Sequence, residues 1–211
     1  MSRTSRFEAV VLRTRRFGEI HKSVTLLSAE EGLVSAVAYG AQSQKGKLRG
    51  TVNPFHRGVC YLYTNPVKDR RKITDFDVKS YYPGIRESID RFYAASLWAE
   101  VLLRSYAGGG EAAPVYALFT DALSLLDDAP DRAAARRTTA QFLWRYFELG
   151  GARPALDECV SCGRAIAERE ERWYRPFAAG VTCRECAAVE HRRLSPGAVR
   201  YLMQTESRPL G

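Results

Sequence analysis

The chain has 211 residues, 45% of them hydrophobic and 27% charged, with a formal net charge of +8 at pH 7. That length accommodates one large or two small domains with a real core, and the ordinary apolar content excludes a largely disordered chain. No stretch approaches the roughly 18 apolar residues of a membrane span. The start, Met1 to Phe7, lacks the apolar core of a signal peptide. The expected setting is therefore a reducing cytosol, where paired thiols serve as metal ligands rather than disulfides.

The charge is unevenly placed. Residues 1–80 carry 15 Lys and Arg against 7 Asp and Glu, a balance of +8, whereas residues 81–211 carry 17 of each. A basic module beside a balanced one is the footprint of a polyanion-binding domain joined to a scaffolding or partner-binding domain. The plainer alternative is a basic, soluble surface with no partner.

In chain order, Phe7–Leu12, Val24–Leu27, Leu33–Ala38, Val59–Tyr63 and Ile73–Val78 are short runs rich in β-branched and aromatic residues and are predicted as strands. Turn signals separate them at Phe17-Gly18-Glu19, Glu30-Glu31-Gly32, Gly46 to Gly50 and Asn65-Pro66. Five short strands in about 75 residues suggest a small closed barrel. The OB-fold fits best, and a Tudor- or SH3-like barrel is the rival. Cys60, alone in an apolar run, reads as a buried small hydrophobe.

The stretch Gly40-Ala-Gln-Ser-Gln-Lys-Gly46-Lys47 resembles a phosphate loop but fails as one. Five residues separate the glycines instead of four, Leu48 replaces the hydroxyl residue after the lysine, and a turn follows where a helix should begin. No nucleotide site is expected, and Lys45 to Arg49 reads as a flexible basic loop. Further basic residues cluster near the predicted turns: Arg13, Arg15, Arg16, Lys22, Arg57, Lys68, Arg70, Arg71 and Lys72. Together with Lys45, Lys47 and Arg49 they are the candidate phosphate contacts, of a kind that binds without regard to sequence. Of the nearby aromatics Phe17, Phe55, Tyr61, Tyr63 and Phe76, one or two are expected to face outward and stack on unpaired bases, the others filling the barrel.

After Tyr82-Pro83-Gly84 the period becomes helical. Ile89, Phe92, Tyr93, Leu97, Val101 and Leu102 define a first helical face, broken by Gly108-Gly109-Gly110. A second helix is predicted from Pro114, with proline at its first position, to about Leu126. A third runs from about Asp131 to Leu149, ends at Gly150-Gly151, and presents Phe142, Leu143, Tyr146 and Phe147. Trp98 and Trp144 are expected in the core of this bundle.

The sharpest chemical signal follows. Cys159-x-x-Cys162 and Cys183-x-x-Cys186 are two pairs separated by twenty residues, with Gly163 and Gly180 beside them. Two such turns facing each other close a tetrahedral four-sulfur cage suited to zinc. A redox dithiol and iron–sulfur ligation are the alternatives. Four sulfurs leave no open position, so the expected role of the metal is structural, holding together a segment too small for its own core. Trp173, Tyr174 and Phe177 would then pack on the cage or the helices. One more short helix is predicted after Ser195-Pro196-Gly197. The three histidines, His21, His56 and His191, are scattered, and no catalytic constellation is expected.

The order of these pieces resembles the RecO family of bacterial recombination mediators. The resemblance lies in Val11-Leu-Arg-Thr-Arg-Arg-Phe-Gly-Glu19, Val24-Thr-Leu-Leu27, Gly32 to Ala38 with Gly40, and Asn53-Pro54-Phe55. It continues through Tyr82-Pro83-Gly84-Ile85-Arg86, Cys159-Val-Ser-Cys162-Gly163, Cys183-x-x-Cys186-Ala187 and Leu194-Ser-Pro-Gly-Ala198. It implies an α+β multidomain chain, with an N-terminal five-stranded OB-fold barrel followed by an α-helical domain carrying a four-cysteine zinc finger. The expected divisions are 1–82, 83–156, 157–190 and a C-terminal helical segment, 191–211, packing on the helical domain. The resemblance implies binding of single- and double-stranded DNA, annealing of complementary strands, and a complex with RecR that helps RecA load onto strands coated by the single-stranded-DNA-binding protein SSB, whose C-terminal tail binds the helical domain. It implies neither nucleotide nor membrane, a cytoplasmic, nucleoid-associated protein, and family members that continue past the end of this chain. The alternative class is a zinc-ribbon adaptor contacting nucleic acid or protein.

Overall fold

Alternation of buried and outward residues carries the N-terminal runs into five strands, β1 (Thr4–Phe17), β2 (His21–Ser28), β3 (Gly32–Ala38), β4 (Arg57–Asn65) and β5 (Arg70–Ser80). They belong to a computed structural model that describes residues 4–65, 67, 70–106, 111–205 and 210. Met1 to Arg3, Pro66, Lys68 and the predicted break at Gly108–Gly110 lie outside the described residues. β1 pairs antiparallel with both β2 and β4, and β4 with β5, while Val37 of β3 meets Lys72 of β5 in parallel. The order β1-β2-β3-β5-β4 closes into a barrel, the OB-fold arrangement rather than its SH3-like rival. Phe7, Ala9, Val11, Val24, Leu26, Val34, Ala36, Cys60, Leu62, Ile73 and Phe76 fill it. Burial pushes the Cys60 thiol up to about 12, as expected of a small hydrophobe.

Every strand extends past its apolar run. β1 continues from Leu12 to Phe17, where the last three side chains are exposed. The ladder outlasts the hydrophobic signal because a bulge between Val11 and Arg13 shifts the register and the strand runs on along the barrel rim.

The segment between β3 and β4 is built, not loose. Ser43, Gly46 and Arg49 donate backbone hydrogen bonds to the carbonyls of Gly40, Ser43 and Gly46, forming consecutive turns. Ala41, Leu48 and Val52 are buried in the barrel core. A Cβ at Gly46 would overlap the Gly40 carbonyl oxygen. The paired glycines thus serve a close backbone crossing, which corrects the expectation of a flexible basic loop.

The chain forms two compact units, Met1–Thr139 and Ala140–Gly211. In the first, α1 (Pro83–Glu87), α2 (Ile89–Ser105), α3 (Ala112–Asp127) and the start of α4 (Arg132–Leu149) follow the barrel. α2 is capped by Ser88 and α4 by Asp131, whose carboxylate accepts from Ala134 N at 2.7 Å. α3 begins two residues before the predicted Pro114, which still falls in the first turn, where an N–H has no helical partner. α2 differs more. Ile89, Phe92, Tyr93 and Leu97 are exposed, and the buried stripe is Ala95, Trp98, Ala99 and Leu102. Small residues either side of Trp98 allow close packing that a search for large apolar side chains overlooks.

In the second unit, the end of α4, four short strands and α5 (Pro196–Gln204) share one core. The strands β6 (Ala155–Cys159), β7 (Arg172–Arg175), β8 (Gly180–Thr182) and β9 (Arg192–Leu194) form a sheet in the order β6-β8-β7-β9. Trp144 packs here with Leu156, Cys159, Ile166, Val181, Cys183 and Val199. It is a core residue of the cysteine module, not of a bundle shared with Trp98. Gly151 closes α4 in the left-handed region at φ 64°.

Candidate nucleic-acid interface and metal centre

The far end of β1, the start of β2, the end of β3 and the start of β5 meet on one side of the barrel. Arg15 lies opposite Ser23, Ser23 opposite Val37, and Val37 opposite Lys72, a single row crossing four strands. At strand spacings of about 4.8 Å that row is roughly 14 Å long. Phe17 faces His21 across the β1–β2 turn. The Tyr39 ring stands edge-on to His21 with centroids 4.8 Å apart, and Phe17 lies 6.5 Å from the same imidazole. Phe17 and Tyr39 are 48% and 42% exposed, so both rings are open to a ligand. The Lys72 ammonium sits 5.9 Å over the Tyr39 ring. Arg70 and Arg71 complete a groove of about 350 Å³ lined also by Phe17, Ser23, Val37 and Tyr39. Cations beside exposed rings form a surface suited to a polyanion with stackable faces.

The candidate phosphate contacts among the described residues have different situations. Arg15, Arg16, Arg70 and Arg71 are exposed around this groove, and Arg13 is half-buried on the same strand as the first two. Arg16 Nε donates to the Gly18 carbonyl at 3.2 Å, which shapes the turn carrying Phe17. Lys45 is exposed, and Arg49 donates to the Gln44 carbonyl at 3.4 Å. Lys47 is ion-paired to Asp75 at 2.5 Å. Lys22 is turned inward, donating to Asn53 Oδ1 at 2.9 Å and to the Val52 carbonyl at 3.2 Å, and burial lowers its pKa. Arg57 is half-buried beside Tyr82 and Tyr116. Lys22 and Arg57 thus hold loops and packing together rather than extend the cationic face.

Of the five aromatics singled out in the sequence, Phe55 and Phe76 are buried, Tyr61 and Tyr63 are half-buried, and Phe17 is exposed. Tyr39 was missed. Its signal was parity: Ser35, Val37 and Tyr39 alternate with the buried Val34, Ala36 and Ala38. His21 accepts from Gly40 N at Nδ1, 3.0 Å, which ties this corner to the segment after β3.

In the second unit, Cys159, Cys162, Cys183 and Cys186 bring their four sulfurs within 4.8 Å of one another. Cys162 Sγ and Cys183 Sγ are 4.0 Å apart. Sulfurs about 2.3 Å from a tetrahedral centre lie about 3.8 Å apart, so the cluster has the dimensions of a metal cage. Its electrostatics favour thiolates at the buried positions. Burial opposes ionisation of Cys159, but the backbone amides of Cys183, Cys162 and Ser161 prevail and bring the thiol down to about 6. Arg164, bound in two places to Glu170, also reaches Cys183. These residues can hold one metal ion with all four protein positions filled.

Residues 1–82 match the family described as Recombination protein O N terminal, and residues 86–211 match Recombination protein O C terminal. The chain belongs to the RecO family. It is similar to the DNA repair protein RecO of Synechococcus sp. (strain JA-3-3Ab), 28% identical over 202 residues, which are 92% of this chain and 66% of that protein. The RecO of Anaeromyxobacter sp. (strain Fw109-5) is 30% identical over 94% of this chain and 75% of its own length. That of Rubrobacter xylanophilus is 28% identical over 97% of this chain and 82% of its own. The chain spans about two thirds of the length of several RecO relatives, 60% for that of Exiguobacterium. Among the described residues no helix is long and apolar enough to cross a membrane.

Proposed function

We propose that this chain is a DNA repair and recombination mediator that binds single- and double-stranded DNA through its barrel and brings complementary strands together. The observation that carries this reading is the cationic groove with two exposed rings, on the part of the chain that holds the whole positive excess. The mechanism is electrostatic. Arg15, Arg16, Arg70, Arg71 and Lys72 neutralise phosphates, displace counterions and lower the repulsion between strands, while Phe17 and Tyr39 stack on unpaired bases. Base pairing, not the protein, selects the partner strand. Lys45, Lys47 and Arg49 extend the surface, with Lys47 first having to leave Asp75.

Membership in the RecO family supports the remaining roles: a complex with RecR, loading of RecA onto SSB-coated strands, contact with the SSB C-terminal tail, and a cytoplasmic, nucleoid-associated location without nucleotide or membrane. Activity is that of a mediator and not an enzyme, so labelled DNA incubated with magnesium or manganese stays intact. The divisions 1–82, 83–156, 157–190 and 191–211 then separate DNA binding from scaffolding. Zinc is the metal that suits four thiolates, and its role is to fold the second unit.

Annealing of complementary oligonucleotides by the full chain tests the reading. Arg70→Glu with Arg71→Glu is expected to slow annealing at least tenfold, and more than Lys45→Glu with Lys47→Glu and Arg49→Glu. Wild-type annealing by both variants would overturn it.

A further inference from the structure

Phe177 occupies the apex of the β7–β8 hairpin and is fully exposed, with Pro176, Ala178 and Ala179 exposed around it. Packing of this ring on the metal cage or a helix, expected from the sequence, does not occur. Ala179 holds the turn in the left-handed region at φ 47°, a conformation glycine adopts more cheaply. A strained turn therefore displays a large apolar ring to water.

The charges around the tip indicate its chemistry. Residues 172–182 contain two arginines and no acidic residue. Arg172 is buried, its guanidinium donating to the carbonyls of Ile166, Ala167, Glu168 and Glu170. Arg175 is exposed at the tip. Arg192 is exposed on β9 directly opposite Tyr174, the chain neighbour of Arg175. Among the described residues neither makes an ion pair or a side-chain hydrogen bond, whereas Arg164, Arg193 and Arg200 are tied to Glu170, Glu171 and Glu168. The balanced composition of this module thus conceals a hairpin without acidic residues, with Arg175 at its tip and Arg192 on the adjoining strand unpaired among the described residues.

We propose that the hairpin tip is a second single-strand contact, in which Phe177 stacks on an unpaired base while Arg175 and Arg192 hold the flanking phosphates. An exposed ring next to Arg175 on the same hairpin, with Arg192 exposed on the adjoining strand, fits the stacking-and-phosphate pattern of single-strand binding, and an apolar pocket on a protein would have no use for those cations. The proposal rests on the reading of the chain as a strand-binding protein, and adds a site on the second unit to the one on the barrel.

The test measures binding of the full-length, metal-loaded chain to an oligo(dT) and to an abasic oligonucleotide of the same length and charge. Phe177→Ala is expected to weaken oligo(dT) binding about fivefold to tenfold, to leave abasic binding unchanged, and to be rescued by Phe177→Tyr. Metal content and circular dichroism are expected to match wild type, since the ring touches no core. Equal oligo(dT) affinity for wild type and Phe177→Ala would overturn the hairpin site alone. Failure of the wild-type chain to bind either oligonucleotide would overturn the strand-binding reading and the hairpin site with it.

Discussion

Buried near the mouth of the barrel, His56 donates from Nδ1 to the Thr51 carbonyl at 2.7 Å, and burial lowers its pKa, with Arg86 and Lys22 acting in the same direction. The unfolded chain protonates this residue near about 6.5. Below that value the unfolded state binds more protons than the folded one, so stability is full above about pH 6.5 and falls as the pH drops further. His56→Gln keeps a donor for Thr51 and removes the titration. In urea titrations of the barrel the variant is expected to lose less stability than wild type between pH 7 and 5; parallel curves would refute this assignment. Gly46 makes a second test. A Cβ there meets backbone, not a movable side chain, so Gly46→Ala is expected to cost about 2 kcal/mol or more. An unchanged urea midpoint would mean the Gly40–Gly46 crossing is not rigid.

At the scale of elements, strand interiors and cysteine spacing were legible in the sequence because each has a short, strict rule. Val24–Leu27 and Leu33–Ala38 became β2 and β3 with a residue or more added at the ends, and both Cys-x-x-Cys pairs met in one cluster. What escaped was decided by packing between elements. The α2 face uses Ala95 and Ala99 rather than Ile89 and Leu97, and Trp144 serves the cysteine module rather than a helical bundle. The strands β7, β8 and β9, of three or four residues, are too short to show any period. Their sheet has few buried side chains, and on the proposed reading a metal held by the four cysteines supplies what the core lacks. Removing the metal with a strong chelator is therefore expected to abolish amide protection across residues 155–194 while strands β1 to β5 stay protected. Protection that survives chelation in 155–194 would show that the sheet and Trp144 suffice without the cage.

For the whole molecule, the proposed phosphate contacts fall on the barrel groove. Composition located the positive excess in the first 80 residues, and the fold sorts it further. Lys22 and Arg57 are engaged in packing and the exposed Lys47 pairs with Asp75, which leaves Arg15, Arg16, Arg70, Arg71 and Lys72 as the exposed cations beside Phe17 and Tyr39. The salt dependence of single-strand binding counts these contacts, because each neutralised phosphate contributes about 0.7 to the slope of log affinity against log salt. Measured on the full-length chain, Arg70→Ala with Arg71→Ala is expected to reduce the magnitude of that slope by about 1.4. A double variant with the wild-type slope would place the phosphate contacts elsewhere on the chain.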